Sequence, residues 1–251
     1  MKNRKAQPAG LAGKRVLITG AARHIGREIA LKMAAAGADV AITYRSSRRE
    51  AERTRAEVES CGVRALALVC DVREERSIRR VAETVNAKFG GIDVLVNNAA
   101  AYDTLELEKI TVQQWDEMFD TNVRGPFLCS RLCARYLRKQ QGKIINLGSL
   151  GGLRPWVTHA HYCQSKAALH MQTQLLAKAF APQISVNCVA PGLIDFQEKS
   201  PGAFMRKMAK KTPMQRNGTN QDVAAAVMFF ATAPAFITGQ ILIVDGGLSL
   251  V

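Results

Sequence analysis

The stretch RVLITGAARHIGREIA, residues 15–30, decides the fold of this 251-residue chain. A run of apolar and β-branched residues ends at Gly20, and an amphipathic helical pattern is established by Gly26. A strand, a tight turn and a helix start in this order predict a loop whose backbone N–H groups, together with the helix N terminus, face a diphosphate. Residues 15–30 therefore predict the first βα unit of a dinucleotide-binding fold.

The same alternation recurs along the rest of the chain. Apolar runs such as DVAITY (39–44), IDVLVNNA (92–99) and QILIVDGG (240–247) have strand character, and helical patterns separate them. Seven such strands predict an α/β, single-domain Rossmann fold, with a doubly wound seven-stranded parallel sheet and helices on both faces. We expect this domain to span residues 13–251, after a basic tail of residues 1–12. A polar interruption at about residues 193–220 predicts a substrate lid.

Composition excludes several classes of protein. Hydrophobic residues make up 47% of the chain, enough for a sizeable core, and no apolar run is long enough to span a bilayer. The six cysteines contain no CxxC pair and the four histidines no HExxH spacing, so we expect no metal site. The first ten residues lack the apolar core of a signal peptide. We therefore expect a soluble, cytoplasmic protein without a membrane partner.

The charge balance favours anionic ligands. A net charge of +14 results from 35 Lys and Arg against 21 Asp and Glu. Such a field attracts nucleic acid, acidic proteins or phosphorylated small molecules. No zinc finger, recognition helix or aromatic-interleaved basic motif accompanies it, so no nucleic-acid partner is expected.

The end of the second predicted strand indicates which dinucleotide the glycine loop holds. An NAD site usually ends this strand with a carboxylate that binds the ribose 2′-hydroxyl, whereas this chain has Tyr44, Arg45 and Ser46 there. Arg45 can pair bidentately with a 2′-phosphate, and Arg23 in the glycine loop can approach from the other side. These residues favour NADP(H); the alternative is that both arginines are solvated surface charge.

Three further residues form a candidate catalytic set. Tyr162 and Lys166 are four residues apart on a predicted helix and therefore share a face. Ser149 ends the fifth predicted strand. A lysine ammonium near a phenol lowers the phenol pKa, and a serine hydroxyl can hold both the phenol and a substrate carbonyl. The set predicts proton transfer to or from a carbonyl oxygen.

Taken together, eight motifs closely resemble the short-chain dehydrogenase/reductase family. In chain order they are TGAARHIG, CDV, NNAA, TNVRGPF, NLGS, YCQSK, NCVAPGLI and ITGQILIVDGG, and the likeness runs from about residue 13 to residue 248. The resemblance implies an NADP(H)-dependent oxidoreductase acting on CH–OH or C=O groups. It implies that Tyr162 protonates the developing alkoxide, that Lys166 binds the nicotinamide ribose, and that Ser149 orients the carbonyl. Asn122 matches the asparagine that holds a water relaying protons to the lysine.

The resemblance also implies a cofactor set and an assembly. Asp71 and Val72 would bond and cover the adenine edge, and Pro191, Gly192 and Ile194 match the segment around the nicotinamide. The predicted cofactor-binding residues are Gly20, Arg23, His24, Ile25, Gly26, Tyr44, Arg45, Ser46, Asp71, Val72, Asn98, Ala99, Ala100, Tyr162, Lys166, Pro191, Gly192 and Ile194. A homotetramer is expected, built partly on the helices containing FLCSRLCARYL and YCQSKAALHMQTQLL.

Three departures from the family pattern bear on the ligands. His24 replaces the usual middle glycine of the loop, NNAA does not end in glycine, and Phe196 stands where a threonine often contacts the carboxamide. Pteridine reductases resemble TGAARHIG in having a basic residue at the position of His24. Trp156, in an RPW motif like that of related bacterial proteins, can border a flat substrate.

Three functions therefore stay open. A carbonyl reductase similar to 3-oxoacyl-[acyl-carrier-protein] reductases is favoured by Ser149, since pteridine reductases usually carry Asp there. Its substrate would be a small carbonyl compound, carried on an acidic carrier protein that Arg135 and Lys178 could steer; the alternative, which the sequence favours, is that these two residues are ordinary helix-surface charges. A pteridine (dihydropterin) reductase is the alternative, favoured by His24 and Trp156. A noncatalytic NADP-sensing or scaffold protein is a third, which the intact catalytic set disfavours.

Overall fold

A computed structural model describes residues 10–196 and 202–251. The strands are β1 (Arg15–Ile18), β2 (Asp39–Tyr44), β3 (Ala65–Val69), β4 (Val94–Asn97), β5 (Lys143–Leu147), β6 (Ser185–Pro191) and β7 (Ile241–Val244). The helices are α1 (His24–Ala35), α2 (Arg48–Glu59), α3 (Glu75–Phe89), α4 (Val112–Phe119), α5 (Gly125–Lys139), α6 (Ala160–Phe180), α7 (Ala203–Lys211) and α8 (Asn220–Thr232). A π-helical turn (Asp120–Arg124) joins α4 to α5.

The sheet has the predicted architecture. Its seven strands are all parallel and are ordered β3-β2-β1-β4-β5-β6-β7. Helices α1 and α8 pack together on one face of this sheet, and α3 and α5 pack together on the other. The predicted single-domain Rossmann fold is confirmed.

Strand periodicity divides the interior into two cores. In β1, Val16 and Ile18 face the core under α1 and α8, whereas Leu17 faces the core under α3 and α5. The same alternation assigns Val94 to the first core and Leu95 to the second. Successive side chains of a strand point to opposite faces, so near-continuous apolar runs are what a sheet covered on both sides requires.

The two segments predicted to lie outside the regular pattern are described in part. Leu11, within the predicted tail, is buried in the core and its N–H donates to the Ala36 carbonyl; residues 1–9 lie outside the described residues. The predicted lid contains α7, and its residues 197–201 also lie outside them. None of the helices in residues 10–196 and 202–251 combines the length and apolar character needed to cross a membrane.

Candidate active site

A crevice opens at the carboxyl ends of the central strands. The strand order puts β2 and β4 on either side of β1, so the chain winds away from β1 in both directions and leaves a gap where ligands bind in such sheets. A cavity of about 550 Å³ lies there. The predicted cofactor residues that line it are Gly20, Arg23, His24, Ile25, Gly26, Tyr44, Arg45, Ser46, Asp71, Val72, Asn98, Ala99 and Ala100. The lining also includes Ala22, Ser47, Cys70, Ala101, Tyr102, Thr121 and Phe196.

Two glycines let the first loop pass close to its neighbours. Gly20 has a φ of +63°, and a Cβ there would lie 2.7 Å from Ala99 Cα. A Cβ on Gly26 would lie 2.6 Å from Asn98 Nδ2. That amide nitrogen donates to the carbonyl oxygens of Thr19 and Gly20, both at 2.9 Å. The segment after β4 therefore holds the loop after β1, a bracing role of Asn98 that the sequence did not indicate.

His24 begins α1 in the left-handed region, with a φ of +53°. Glycine adopts this conformation without steric cost, and histidine is among the other residues enriched there. The His24 ring lies 4.6 Å from the ring of Phe196, centroid to centroid, with the planes tilted by 41°. Two of the departures from the family pattern thus contact each other and form one wall of the cavity.

The part of the cavity beside β2 is cationic. Arg45 follows β2 and Arg23 precedes α1; both line the cavity and are exposed. Among the described lining residues, Asp71 carries the only carboxylate, and Arg73 pairs with it at 2.6 Å. The hydrogen bond from Arg73, with a smaller effect of the Arg45 charge, holds the pKa of Asp71 below its usual value. Because Arg73 already compensates this carboxylate, the two lining arginines leave an excess of positive charge.

The predicted catalytic residues come together beside the crevice. Tyr162 and Lys166 lie one turn apart on α6, and Ser149 follows β5. The Lys166 Nζ lies 5.7 Å from the centroid of the Tyr162 ring and donates to the Leu147 carbonyl oxygen at 2.8 Å. Ser149 Oγ accepts a hydrogen bond from the Gly151 N–H at 3.1 Å.

The electrostatics of this set differ from expectation in one respect. Burial raises the pKa of Tyr162 to about 12, and a hydrogen bond with Ser149 acts in the opposite direction. Lys166 is not among the groups that shift this pKa, and its ammonium group donates to the Leu147 carbonyl. Burial also lowers the pKa of Lys166 to about 8. At neutral pH the phenol therefore carries its proton, and the lysine is largely charged.

Asn122 occupies the π-helical turn and is completely buried. Its Oδ1 accepts from the Ala101 N–H at 2.8 Å, and its Nδ2 donates to the Ala101 carbonyl at 2.9 Å and to Ser165 Oγ at 3.0 Å. The Ser165 hydroxyl in turn donates to the Tyr162 carbonyl at 2.7 Å. Asn122 therefore connects the cavity lining to α6 through Ser165, a residue that the sequence did not indicate because its partner is distant in the chain.

Aromatic rings surround Tyr162. Trp156 is nearly parallel to it, with 16° between the planes and 6.3 Å between the centroids. Tyr102 meets it edge to face at 4.9 Å. His159 bonds to Tyr102 and contacts Trp156. The predicted substrate residue Trp156 thus lies beside Tyr162. Tyr102, which the sequence did not indicate, lies beside Tyr162 as well.

Five predicted cofactor residues lie outside the cavity lining: Tyr162 and Lys166, described above, and Pro191, Gly192 and Ile194. Pro191 ends β6, and the Gly192 N–H donates to the Val244 carbonyl at 2.9 Å. Ile194 forms an isolated bridge with Gly218 and packs against the core. Their contact with the nicotinamide stays a prediction.

The described residues fit a nicotinamide dinucleotide. Arg23, the N-cap residue of α1, makes no side-chain cap, and the first turn of the helix has no acidic residue. The positive end of the helix dipole therefore adjoins the cavity lined by the same turn, as a diphosphate site requires. The fold and the site define a nicotinamide-dependent oxidoreductase.

Known proteins agree with this class. The family model described as "Enoyl-(Acyl carrier protein) reductase" matches residues 20–249. The 3-oxoacyl-[acyl-carrier-protein] reductase FabG of Staphylococcus epidermidis is 36% identical over 240 residues, 94% of this chain and 98% of that protein. A short-chain type dehydrogenase/reductase of Picea abies is 37% identical over 94% of this chain and 93% of its own length.

Solved structures agree as well. A short-chain dehydrogenase of Burkholderia cenocepacia J2315, in complex with NADP, superposes with a TM-score of 0.89 at 38% identity, covering 95% of this chain and 99% of that one. A dehydrogenase/reductase of Sinorhizobium meliloti 1021 superposes with a TM-score of 0.91 at 35% identity, covering 96% of this chain and 97% of that one. The chain belongs to the short-chain dehydrogenase/reductase family. As such it is an oxidoreductase that uses a nicotinamide cofactor and acts on carbonyl or hydroxyl groups.

Proposed function

We propose that the protein reduces a small-molecule carbonyl compound with NADPH, and that Tyr162 is the general acid. The observation that carries this proposal is the grouping of Ser149, Tyr162 and Lys166 next to Tyr102, which lines the cavity and contacts the Tyr162 ring. When bound, NADPH supplies the hydride that the carbonyl carbon accepts. The Tyr162 hydroxyl gives its proton to the carbonyl oxygen as negative charge develops there.

The high pKa of Tyr162 suits this role. A phenol that stays protonated at neutral pH is available as a donor, and a hydrogen bond from Ser149 to the developing tyrosinate would ease loss of its proton. Lys166, largely charged at pH 7, is proposed to bind the nicotinamide ribose and to favour the tyrosinate electrostatically. Asn122 is proposed to hold the water through which Lys166 exchanges protons, while its side chain keeps Ala101 in place.

The preference for NADP(H) over NAD(H) is proposed from charge. Arg45 and Arg23 give the cavity an excess of positive charge beside β2, where a 2′-phosphate would be bound. The structural relative in complex with NADP supports the same choice. Because cells keep NADPH largely reduced, we propose that reduction is the direction of the reaction in the cell.

A 3-oxoacyl thioester is the first candidate substrate. The support is the 36% identity with a 3-oxoacyl-[acyl-carrier-protein] reductase over 94% of the chain, together with Ser149. An acidic carrier protein would be attracted by the net charge of +14, with Arg135 and Lys178 as candidate contacts. We propose no nucleic-acid partner.

A dihydropterin is the second candidate; its reduction would place the hydride on a C=N carbon and the proton on nitrogen, and a specific observation favours it. Trp156 lies almost parallel to Tyr162, so a flat ring system could lie against an aromatic face at the reaction centre. His24 lines the same cavity. The segment at 193–220 is proposed as the lid over either substrate.

A homotetrameric assembly and a cytoplasmic location are also proposed. Exposed apolar residues on α5 and α6, among them Phe127, Met171 and Leu175, support a homotetramer built on these helices. All six cysteines are free, and Cys61 is exposed, which supports a reducing compartment such as the cytoplasm.

The experiment that tests the catalytic proposal is NADPH oxidation, measured spectrophotometrically with a 3-oxoacyl thioester, a dihydropterin and a simple diketone. Tyr162→Phe should lower turnover by about 10²–10⁴-fold, the usual contribution of a general acid. NADPH binding, measured by fluorescence, should be retained. The matched control is Tyr136→Phe, since Tyr136 lies on α5 and its hydroxyl accepts from Arg135.

Two results would contradict this proposal. Retained turnover in Tyr162→Phe would remove the tyrosine from the acid role. Tight NADPH binding by the wild type without oxidation in the presence of any of these compounds would favour the noncatalytic sensor or scaffold.

A further inference from the structure

Tyr102 is an exposed ring that is nevertheless held in place. Its side chain lines the cavity and is 61% exposed. The Tyr102 Oη lies 2.7 Å from His159 Nε2, and the ring contacts Tyr162 edge to face. A ring left open to solvent beside the proposed acid is a surface that a bound substrate would cover.

The backbone on both sides of the pair is joined as well. Leu105 forms a parallel bridge with His159, and its N–H donates to the Thr158 carbonyl at 2.8 Å. The segment that carries Tyr102 and the segment that carries Trp156 are therefore bonded to each other, and they enclose Tyr162 from two directions. Both Tyr102 and Trp156 contact the Tyr162 ring, and aromatic surroundings of this kind suit a compact planar compound better than a flexible chain.

Hydroxyl groups face both ring nitrogens of His159. Thr158 Oγ1 lies 2.9 Å from Nδ1, while Nε2 faces the Tyr102 hydroxyl and, at 3.0 Å, Thr104 Oγ1. Burial is the main cause that lowers the pKa of His159, which favours the neutral ring with one donor and one acceptor nitrogen. In the tautomer whose Nδ1–H donates to Thr158, Nε2 accepts from Tyr102.

In this arrangement the Tyr102 oxygen can still accept a hydrogen bond from a ligand but has no hydrogen left to donate. A phenol has one O–H, and in this tautomer that hydrogen is directed at His159. The lone pairs of the oxygen are left to accept a hydrogen bond from a ligand. A substrate with an N–H or O–H of its own would satisfy them, whereas an acceptor group at the same place would not.

We propose that the Tyr102 hydroxyl donates to His159 Nε2 and that Tyr102, held in this way, is a specificity-determining residue that selects compact planar carbonyl compounds bearing their own N–H or O–H donor. The inference rests on the proposed carbonyl reduction and deepens it by naming the substrate class. Neither the Tyr102 hydroxyl nor the His159 ring takes part in hydride or proton transfer; the pair orients the substrate so that its reacting oxygen meets Tyr162.

Isatin and N-methylisatin test the inference directly. Both are planar ketones of nearly the same shape, and only isatin has an N–H. We expect the wild type to show a kcat/KM for isatin about three- to tenfold above that for N-methylisatin, the range of one net neutral hydrogen bond. In Tyr102→Phe, which keeps the ring but removes the hydroxyl and with it both the acceptor oxygen and the bond to His159, this ratio should fall to within about twofold of one. Because Tyr102 is exposed, the variant should remain folded, which circular dichroism checks.

The controls separate this inference from the proposed function. Tyr136→Phe should keep the wild-type ratio. A wild-type ratio near one, an unchanged ratio in Tyr102→Phe, or turnover of a simple diketone without turnover of either isatin would overturn the role of Tyr102. Those results leave the carbonyl reductase intact as long as Tyr162→Phe abolishes the turnover that is seen. Retained turnover in Tyr162→Phe would instead overturn the proposed general acid, whatever the isatin ratio.

Discussion

Replacing Arg45 by alanine should weaken the binding of NADPH and leave the binding of NADH nearly unchanged. Arg45 lines the cavity beside β2, and the compensated Asp71 is the only carboxylate among the described lining residues. A hydrogen bond to a charged group contributes about 1.5–3 kcal/mol. Arg45 is exposed, so solvent screening puts the loss near the lower limit. Since 1.4 kcal/mol corresponds to a factor of ten, the Kd for NADPH should rise about tenfold.

The same substitution should leave NADH within about twofold, because NADH has a hydroxyl where NADPH has the phosphate. Kd values for both nucleotides can be measured by fluorescence titration at two ionic strengths. Added salt should reduce the NADPH preference of the wild type more than that of Arg45→Ala. Arg53→Ala is the matched control, since Arg53 is an exposed arginine of α2 that does not line the cavity. Equal weakening of both nucleotides by Arg45→Ala, or an equal NADPH loss in the control, would refute the reasoning.

Two further substitutions test the local physics. Gly20→Ala should lower the free energy of unfolding, measured with denaturant, by about 1–3 kcal/mol more than Gly62→Ala does. Both glycines have positive φ, but only at Gly20 would the added Cβ lie 2.7 Å from Ala99. Equal losses in the two variants would mean that backbone strain alone matters. Burial lowers the pKa of His170 from 6.5 to about 4. Between these pH values the unfolded chain binds more protons than the folded chain. The contribution of His170 to the free energy of unfolding therefore falls as the pH decreases from 6.5 to 4. His170→Gln, which retains an acceptor for the Ser149 N–H, should flatten this part of the unfolding free energy against pH, and an unchanged slope would contradict the assignment.

Local patterns predicted the sheet and the glycine loop because their causes are local. The alternation of Val16, Leu17 and Ile18 between two cores follows from strand periodicity, and the positive φ of Gly20 follows from the turn. The grouping of Ser149 and Tyr162 could be expected because the carboxyl end of β5 and the start of α6 meet at one edge of the sheet.

Contacts between distant residues could not be predicted in this way. The ring contact of His24 with Phe196 and the bond of Tyr102 to His159 depend on how separate loops meet. Lys166 shows a second limit. Its place on the same helical face as Tyr162 was clear from spacing, but the direction of its ammonium group depends on burial and on the nearby Leu147 carbonyl.

The π-helical turn at Asp120–Arg124 has a consequence for how this chain can change in evolution. Such a turn contains one more residue than an α-helical turn, and here it carries Asn122, whose amide bonds to both backbone groups of Ala101 in the way a neighbouring strand would. Deleting one residue would restore a regular helix and, in the same event, withdraw the amide from Ala101. Loss of the extra residue would therefore also break the hydrogen bonds between Asn122 and Ala101. We expect this turn to accept substitutions that preserve its length and not to accept deletions.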